Sequence, residues 1–308
     1  MELLPFVMPP FLRIQWVSKE IKMKYEPMLQ LAKNFYATLE KDSVRYGLRH
    51  CTTDSITAEE MDIKQQQYIK DGLYFLPLQK VGMYSGFSNY HPAVEEGKPW
   101  HYYGVVADSV EHAEQFAHAT EIGDHKTIGR LLGFPDCCID MFNNDWMQGY
   151  VDPIWQQAIN TDENHVRLKE SNLIRLKDLP WQSNAMLRVL GVGPIFHIKD
   201  RFDCLHTHEN AMKWVELGEK LEVEGLKEME MFLRMPMEWD VLKGIAYIKT
   251  PLFKAAINSV TSTERFIVQV EGTYYPDGVP RGGTYPWTEQ FVTVARNGNK
   301  LDYQKGDL

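Results

Sequence analysis

Long apolar runs are missing from this chain. No stretch reaches the roughly 18–20 residues a helix needs to cross a bilayer, which excludes an integral helical membrane protein. Excess positive charge is missing too: 33 Lys and Arg stand against 42 Asp and Glu, a net charge of −9. A protein that grips phosphate backbones draws affinity from clustered cations. Here Arg167, Lys169, Arg175 and Lys177 are interleaved with Glu170 and Asp178, so nucleic acid is not the expected partner. Cysteine is scarce, with four in 308 residues. That excludes a disulfide scaffold, and adjacent Cys137 and Cys138 sit about 3.8 Å apart at Cα, too close for an ordinary disulfide. Internal repeats and low-complexity tracts are also missing. Residues 1–12 are apolar but broken by Pro5, Pro9 and Pro10 and carry no basic leader. They do not read as a signal peptide, and a soluble, cytoplasmic chain with reduced thiols is expected.

What is present suggests helices first and strands later. Val17, Ile21, Tyr25, Met28, Leu31, Phe35 and Leu39 recur every three or four residues and predict a helix over 17–40, with Pro27 kinking or dividing it. Thr57 and Glu60 predict a capping box opening a helix to Lys70. Residues 72–82 predict a strand interrupted by Pro77, followed by a loop over 83–100. Tyr102–Ala107 predicts a strand, then a helix capped by Asp108 or Ser109 and running through Ala119. A short helix to Gly133 follows, and Pro135 opens another to Trp146. Pro194–Ile198 predicts a buried strand, Thr207–Arg234 a helical stretch capped by Thr207 and broken near Gly225, and Ile245–Ile248 and Phe266–Val270 two strands. The expected class is α+β, with an irregular α/β arrangement as the alternative: a helical N-terminal half, and a mixed sheet contributed mainly by the second half. The expected division is an N-terminal helical region at 1–95 and a cysteine-motif α+β domain at 96–308.

Chemistry concentrates in Gly129–Phe142, where Cys137 and Cys138 occupy the first turn of a helix. The helix end favours an anion by only about 0.3–1 kcal/mol, less than the 1.36 kcal/mol of one pKa unit. Asp136 opposes it, so a working thiolate needs a metal or a cation nearby. Successive helical residues point about 100° apart. Cys138 should therefore face the core with Phe142 and Trp146, and Cys137 should face any site with Met141, Asn144 and Asp145. A second cluster holds His197 and Asp203-Cys204-Leu205-His206-Thr207-His208. Thiols and imidazoles at helix entrances are the usual parts of zinc or iron sites, although neither cluster has a spaced C-x₂-C or H-E-x-x-H pattern. A further candidate is Glu114, His118, Glu121 and His125, aligned if one unbroken helix carries all four. Gly123-Asp124 is expected to stop that helix, which favours a solvated face, and His125 then opens the helix leading to the double cysteine and could approach it. Tyr274–Gly278 and Thr284–Trp287 suggest aromatic surface loops, and Cys51, beside His50, reads as structural.

The run Ile128-Gly129-Arg130-Leu131-Leu132-Gly133-Phe134-Pro135-Asp136-Cys137-Cys138 is similar to the signature of the domain of unknown function 483 family, a G-x-L-L-G-Y-P-x-C-C core. That family also carries a downstream F-H-x-P-C-S-x-x-C segment and a later strand ending in Thr-Pro. The counterparts here are residues 196–204 and 244–251, and the resemblance spans about residues 100–290. Asp200 stands where the family has its first downstream cysteine. The resemblance thus implies a site of three thiols with Asp200 as an oxygen ligand, and argues against an all-cysteine iron–sulfur cluster. It implies no substrate.

Two readings of function follow. The first is an enzyme whose site joins Cys137, Cys138, Cys204, His197 and His206, with His208 or Asp200 in support. Its metal is zinc first and iron second, acting on water or a substrate through an open position, or else Cys137 is a nucleophile with His197 or His125 as base. The second is a non-catalytic protein with a structural metal site or cysteine core, acting through protein partners.

Overall fold

A computed structural model describes residues 13–83, 91–144, 157, 160–161, 166–168, 174–176, 179–242, 245–258, 267–270, 293–294 and 301–302. The chain is α+β. Its first half holds β1 (Arg13–Trp16), α1 (Lys19–Arg45), β2 (Cys51–Ile56), α2 (Met61–Lys70), β3 (Tyr74–Gly82), β4 (Trp100–Ala107), α3 (Val110–Ile122), α4 (His125–Leu131) and α5 (Asp136–Asn144). Then come β5 (Val166–Leu168), β6 (Ile174–Leu176), α6 (Leu205–Lys220), α7 (Leu226–Leu233), β7 (Met237–Leu242), β8 (Ile245–Lys249), β9 (Phe253–Asn258), β10 (Ile267–Val270), β11 (Thr293–Val294) and β12 (Leu301–Asp302). Among the described residues, no helix is long and apolar enough to cross a membrane.

α1 buries Tyr25, Leu29, Ala32, Phe35 and Leu39 along one stripe, and Ser18 caps it by accepting from the Ile21 N–H at 3.2 Å. Pro27 lies inside this single helix and does not divide it. An interior proline costs about 3 kcal/mol against alanine, which the buried stripe offsets. That stripe forms the main core with Trp214, Met229, Phe232, Ile248 and Phe253. Gly225, at φ +92°, lets the α6–α7 connection approach the Leu31 carbonyl, where a Cβ would overlap it.

The larger sheet is mixed and runs β1-β9-β8-β7-β10-β6-β5, with β10 and β6 parallel and the other neighbours antiparallel. Six of its seven strands come from the second half. A smaller antiparallel sheet runs β2-β4-β3. Its central strand β4 is covered on both faces: Val105 and Ala107 pack with Phe116 and Leu131, and Val106 packs with Tyr68 and Leu73. The expected division at 95/96 falls between β3 and β4, which are hydrogen-bonded neighbours, and β1 pairs with β9. β1 and β3 thus each share a sheet with strands that follow residue 96.

Three local expectations are corrected. Pro194–Ile198 is irregular and not a strand, following a left-handed Gly191 and anchored by the Arg188 guanidinium on the Phe196 carbonyl at 3.1 Å. Thr57 donates its hydroxyl to the Glu60 carboxylate, and Glu60 itself caps α2 without a side-chain bond to the backbone. Cys204, not Thr207, caps α6. The break expected at Gly123-Asp124 is present: Gly123 ends α3 in the left-handed region, so His125 opens α4 and the four-residue Glu/His stripe is divided between two helices. The Pro77 interruption is a register shift between Pro77 and Gln79 inside one strand. Trp146 and the loops at 274–278 and 284–287 lie outside the described residues.

Candidate metal centre

Two turns bring the thiols together. In the first, Asp124 caps α4 by accepting from the Lys126 and Thr127 N–H groups, both at 3.1 Å. Gly133, at φ +74°, then reverses the chain; a Cβ there would press on Arg49 at 2.8 Å. The Pro135 carbonyl accepts from the Cys138 and Ile139 N–H groups at 3.0 Å, which starts α5 with both cysteines in its first turn. Arg130 holds the Asp136 carboxylate at 2.8 Å, away from the sulfurs.

In the second turn, the Asn160 side chain donates to the Asp200 carbonyl at 3.0 Å, and the Phe202 N–H donates to Thr161 at 2.9 Å. Arg201 grips Asp203 with two nitrogens. Cys204 then caps α6, its sulfur accepting from the Thr207 N–H at 3.4 Å. The Asn210 amide of α6 donates to the Gly133 carbonyl at 2.9 Å and ties the two turns together.

The result is a cluster of Cys137, Cys138, Asp200 and Cys204 with one donor atom from each within 4.8 Å of the others, a group that could hold a metal ion. Cys137 Sγ lies 3.9 Å from Cys138 Sγ and 3.6 Å from Cys204 Sγ. Cys138 Sγ lies 3.4 Å from Asp200 Oδ1. Bonds of about 2.3 Å to sulfur and 2.0 Å to oxygen put two sulfurs of a tetrahedral zinc site about 3.8 Å apart, and a sulfur and an oxygen about 3.5 Å apart. These three distances match those of a small tetrahedral ion, and the remaining donor pairs lie within 4.8 Å.

Cys138 is buried and Cys137 half-buried, as the helical phase predicts, but the sulfurs do not diverge. At the first turn no preceding turn blocks a side chain from swinging back over the helix end. His206, exposed, brings Nδ1 to 3.6 Å from Cys137 Sγ. His197 is buried and sits one group further back: its Nε2 meets the Thr207 hydroxyl at 3.1 Å, and that hydroxyl meets Cys138 Sγ at 3.2 Å. Its ring packs 5.0 Å from Phe134, and no hydrogen bond joins it to Cys137. His208 Nδ1 is buried without a partner among the described residues. His125 packs on Phe142 at 5.6 Å, and Glu114, His118 and Glu121 are exposed and outside the cluster. Cys51 is buried in the small-sheet core, its thiol pushed up to about 12 by burial and then by Asp108.

Charge in the cluster is shared unevenly. A hydrogen bond from Cys138 and donors from Thr207 lower the Cys204 thiol to about 6. The same bond to Cys204, with burial, pushes Cys138 upward, and burial with the Cys204 contact pushes Cys137 up to about 11. One thiolate, on Cys204, therefore waits among two protonated thiols. Burial depresses Lys199 to about 8 although Cys138, Cys204, Asp200 and Asp203 oppose the shift, and its ammonium bonds the Ser183 carbonyl. Burial, then Lys199 and Arg188, holds His197 near 3, so its imidazole is neutral.

Thr207 and Lys199 were invisible as site residues in the sequence, one reading as a helix cap and the other as an ordinary lysine. A polar residue three positions after a cysteine that begins a helix is the signal that points to Thr207. Comparison of the chain with family models, with curated proteins and with solved structures finds no match in any of the three.

Proposed function

We propose that the chain is a metal-dependent enzyme whose ion, zinc first and ferrous iron second, is held by Cys137, Cys138, Cys204 and Asp200. The observation that carries this reading is the convergence of four donors, from two segments more than 60 residues apart, at tetrahedral spacing. A bound zinc supplies a Lewis acid. Asp200 is a harder, more readily exchanged ligand than a fourth thiolate, and exposed His206 stands beside Cys137 on the open side. The Thr207 hydroxyl hydrogen-bonds Cys138, His197 orients Thr207, and Lys199 offsets the negative charge of the donor set.

The thiol-nucleophile alternative has little support. Cys137 is pushed up to about 11 and has no base bonded to it except His206 at 3.6 Å. A structural, non-catalytic site is favoured by one observation: Cys204 both caps α6 and joins α5, so a metal there would clamp two helix starts. The resemblance to the domain of unknown function 483 family belongs to the same proposal, since residues 128–138 and 196–204 supply all four donors. Four free thiols suit a reducing cytoplasm, and a small molecule is the proposed substrate class.

The test is metal analysis of protein purified anaerobically without chelator, beside a Cys137→Ser/Cys204→Ser double variant. Loss of one equivalent of zinc or iron in the variant is expected. A wild type that folds and carries no metal lost on this substitution overturns the reading. Chelation that abolishes turnover while shifting the melting temperature little separates the enzyme from the structural clamp, for which binding energy is folding energy.

A further inference from the structure

We propose that His50, Asp108 and His112 form a second site for a divalent transition-metal ion, apart from the thiols. One donor atom from each of the three lies within 4.8 Å of the others. His50 Nδ1 meets Asp108 Oδ2 at 2.8 Å and His112 Nδ1 meets Asp108 Oδ1 at 2.5 Å. The two rings lie 4.0 Å apart, tilted by 39°. The arrangement is fixed by backbone. The register of β2 on β4, Cys51 opposite Ala107, sets His50 beside Asp108, whose N–H donates to the His50 carbonyl at 3.1 Å. Ser109 caps α3 by accepting from the His112 N–H at 3.1 Å, which returns the imidazole over Asp108 one turn back.

An ion pair would need one imidazole. Two positively charged rings at this spacing repel, whereas one cation between two neutral rings is attracted to both. With the ring protons on Nε2, both Nδ1 lone pairs and the Asp108 carboxylate face one another, so that a cation can take the place of the two Nδ1–carboxylate hydrogen bonds. Two nitrogens and an oxygen select zinc, nickel, copper or ferrous iron over magnesium or calcium. The side chains are 55%, 30% and 31% exposed, so solvent or a small ligand can fill the remaining positions. The His50 N–H also donates to the Leu131 carbonyl at 3.1 Å, at the end of the helix that leads into the cysteine turn. The second site shares no ligand with the first.

The experiment titrates the full chain, stripped of metal and reduced, with Zn²⁺ against a chromophoric chelator, and compares it with a His50→Gln/His112→Gln variant. The variant is expected to bind one equivalent fewer than wild type, whatever the thiols bind. Asp108→Asn is expected to weaken that equivalent tenfold or more. Co²⁺ separates the two centres within wild type itself: the thiol centre gives near-ultraviolet sulfur charge-transfer bands, and the histidine site gives visible bands without them. Survival of the charge-transfer bands in the histidine variant, with loss of one equivalent, supports this site and leaves the thiol proposal standing. Loss of one equivalent with no such band in wild type supports this site and sinks the other. Unchanged stoichiometry in a folded histidine variant, or no cobalt bands in wild type beyond those of the thiols, overturns the proposal.

Discussion

Replacing Thr207 by valine probes the bond between the metal centre and the core behind it. The side chain is 1% exposed, and its hydroxyl lies 3.2 Å from Cys138 Sγ and 3.1 Å from His197 Nε2. Valine keeps the branched shape and fills the same space, so the loss is almost wholly polar. It strips one partner from a buried imidazole nitrogen and one from a buried thiol. An unsatisfied buried group costs about 1–3 kcal/mol, the sulfur at the low end, so destabilisation of about 2–4 kcal/mol is expected. Thr207→Ser keeps the hydroxyl and removes a buried methyl, costing about 1 kcal/mol. The assay is urea unfolding of metal-free, reduced protein, with the cycle closed by His197→Phe and the double variant. Removing both partners should cost less than the two single changes together, by about 1 kcal/mol or more. A valine variant no less stable than the serine variant would falsify the bridge, and strict additivity with His197→Phe would show that the hydroxyl and the imidazole are not coupled.

Two further outcomes follow from the charges. His197 is held near 3 in the folded state against an ordinary 6.5. It therefore stabilises the fold fully above about pH 6.5, and that contribution is lost as pH falls toward 3, with a slope approaching 1.36 kcal/mol per pH unit. Denaturation of metal-free protein across this range should flatten in His197→Phe, and an unchanged acid limb would place the imidazole in water. Cys137 and Cys138 keep their protons at neutral pH while Cys204 has lost its own. Metal binding then expels two protons, and apparent zinc affinity should rise up to about a hundredfold per pH unit between 7 and 9. Affinity flat across that range would mean the thiols are already ionised.

Local periodicity made much of the helical half legible. The stripe from Tyr25 to Leu39, Ser109 as a cap and Gly123 as a stop need only neighbouring residues, and all appear in α1 and α3. Cys137, Cys138 and Cys204 were legible as candidates because thiols are rare here and stand at helix starts. Helical phase alone misled about the two sulfurs, since it describes a helix interior and not its first turn. The Pro194–Ile198 segment read as a strand because it is a short, mostly apolar run, yet its Phe196 carbonyl bonds the Arg188 guanidinium and the segment joins neither described sheet. Asp108 and His112 show a four-residue spacing in the sequence. His50, 58 residues before Asp108, joins them only through the register of β2 on β4.

The pairing of β1 with β9 has a consequence for how the chain is made. Arg13 finds its partner, Ala256, only when ~240 further residues have been synthesised, at about 5–20 residues per second, a delay of roughly 10–50 s. Until then α1 has an apolar stripe whose partners Met229, Phe232, Ile248 and Phe253 do not yet exist. The nascent chain must therefore carry the amphipathic α1 uncovered through most of translation.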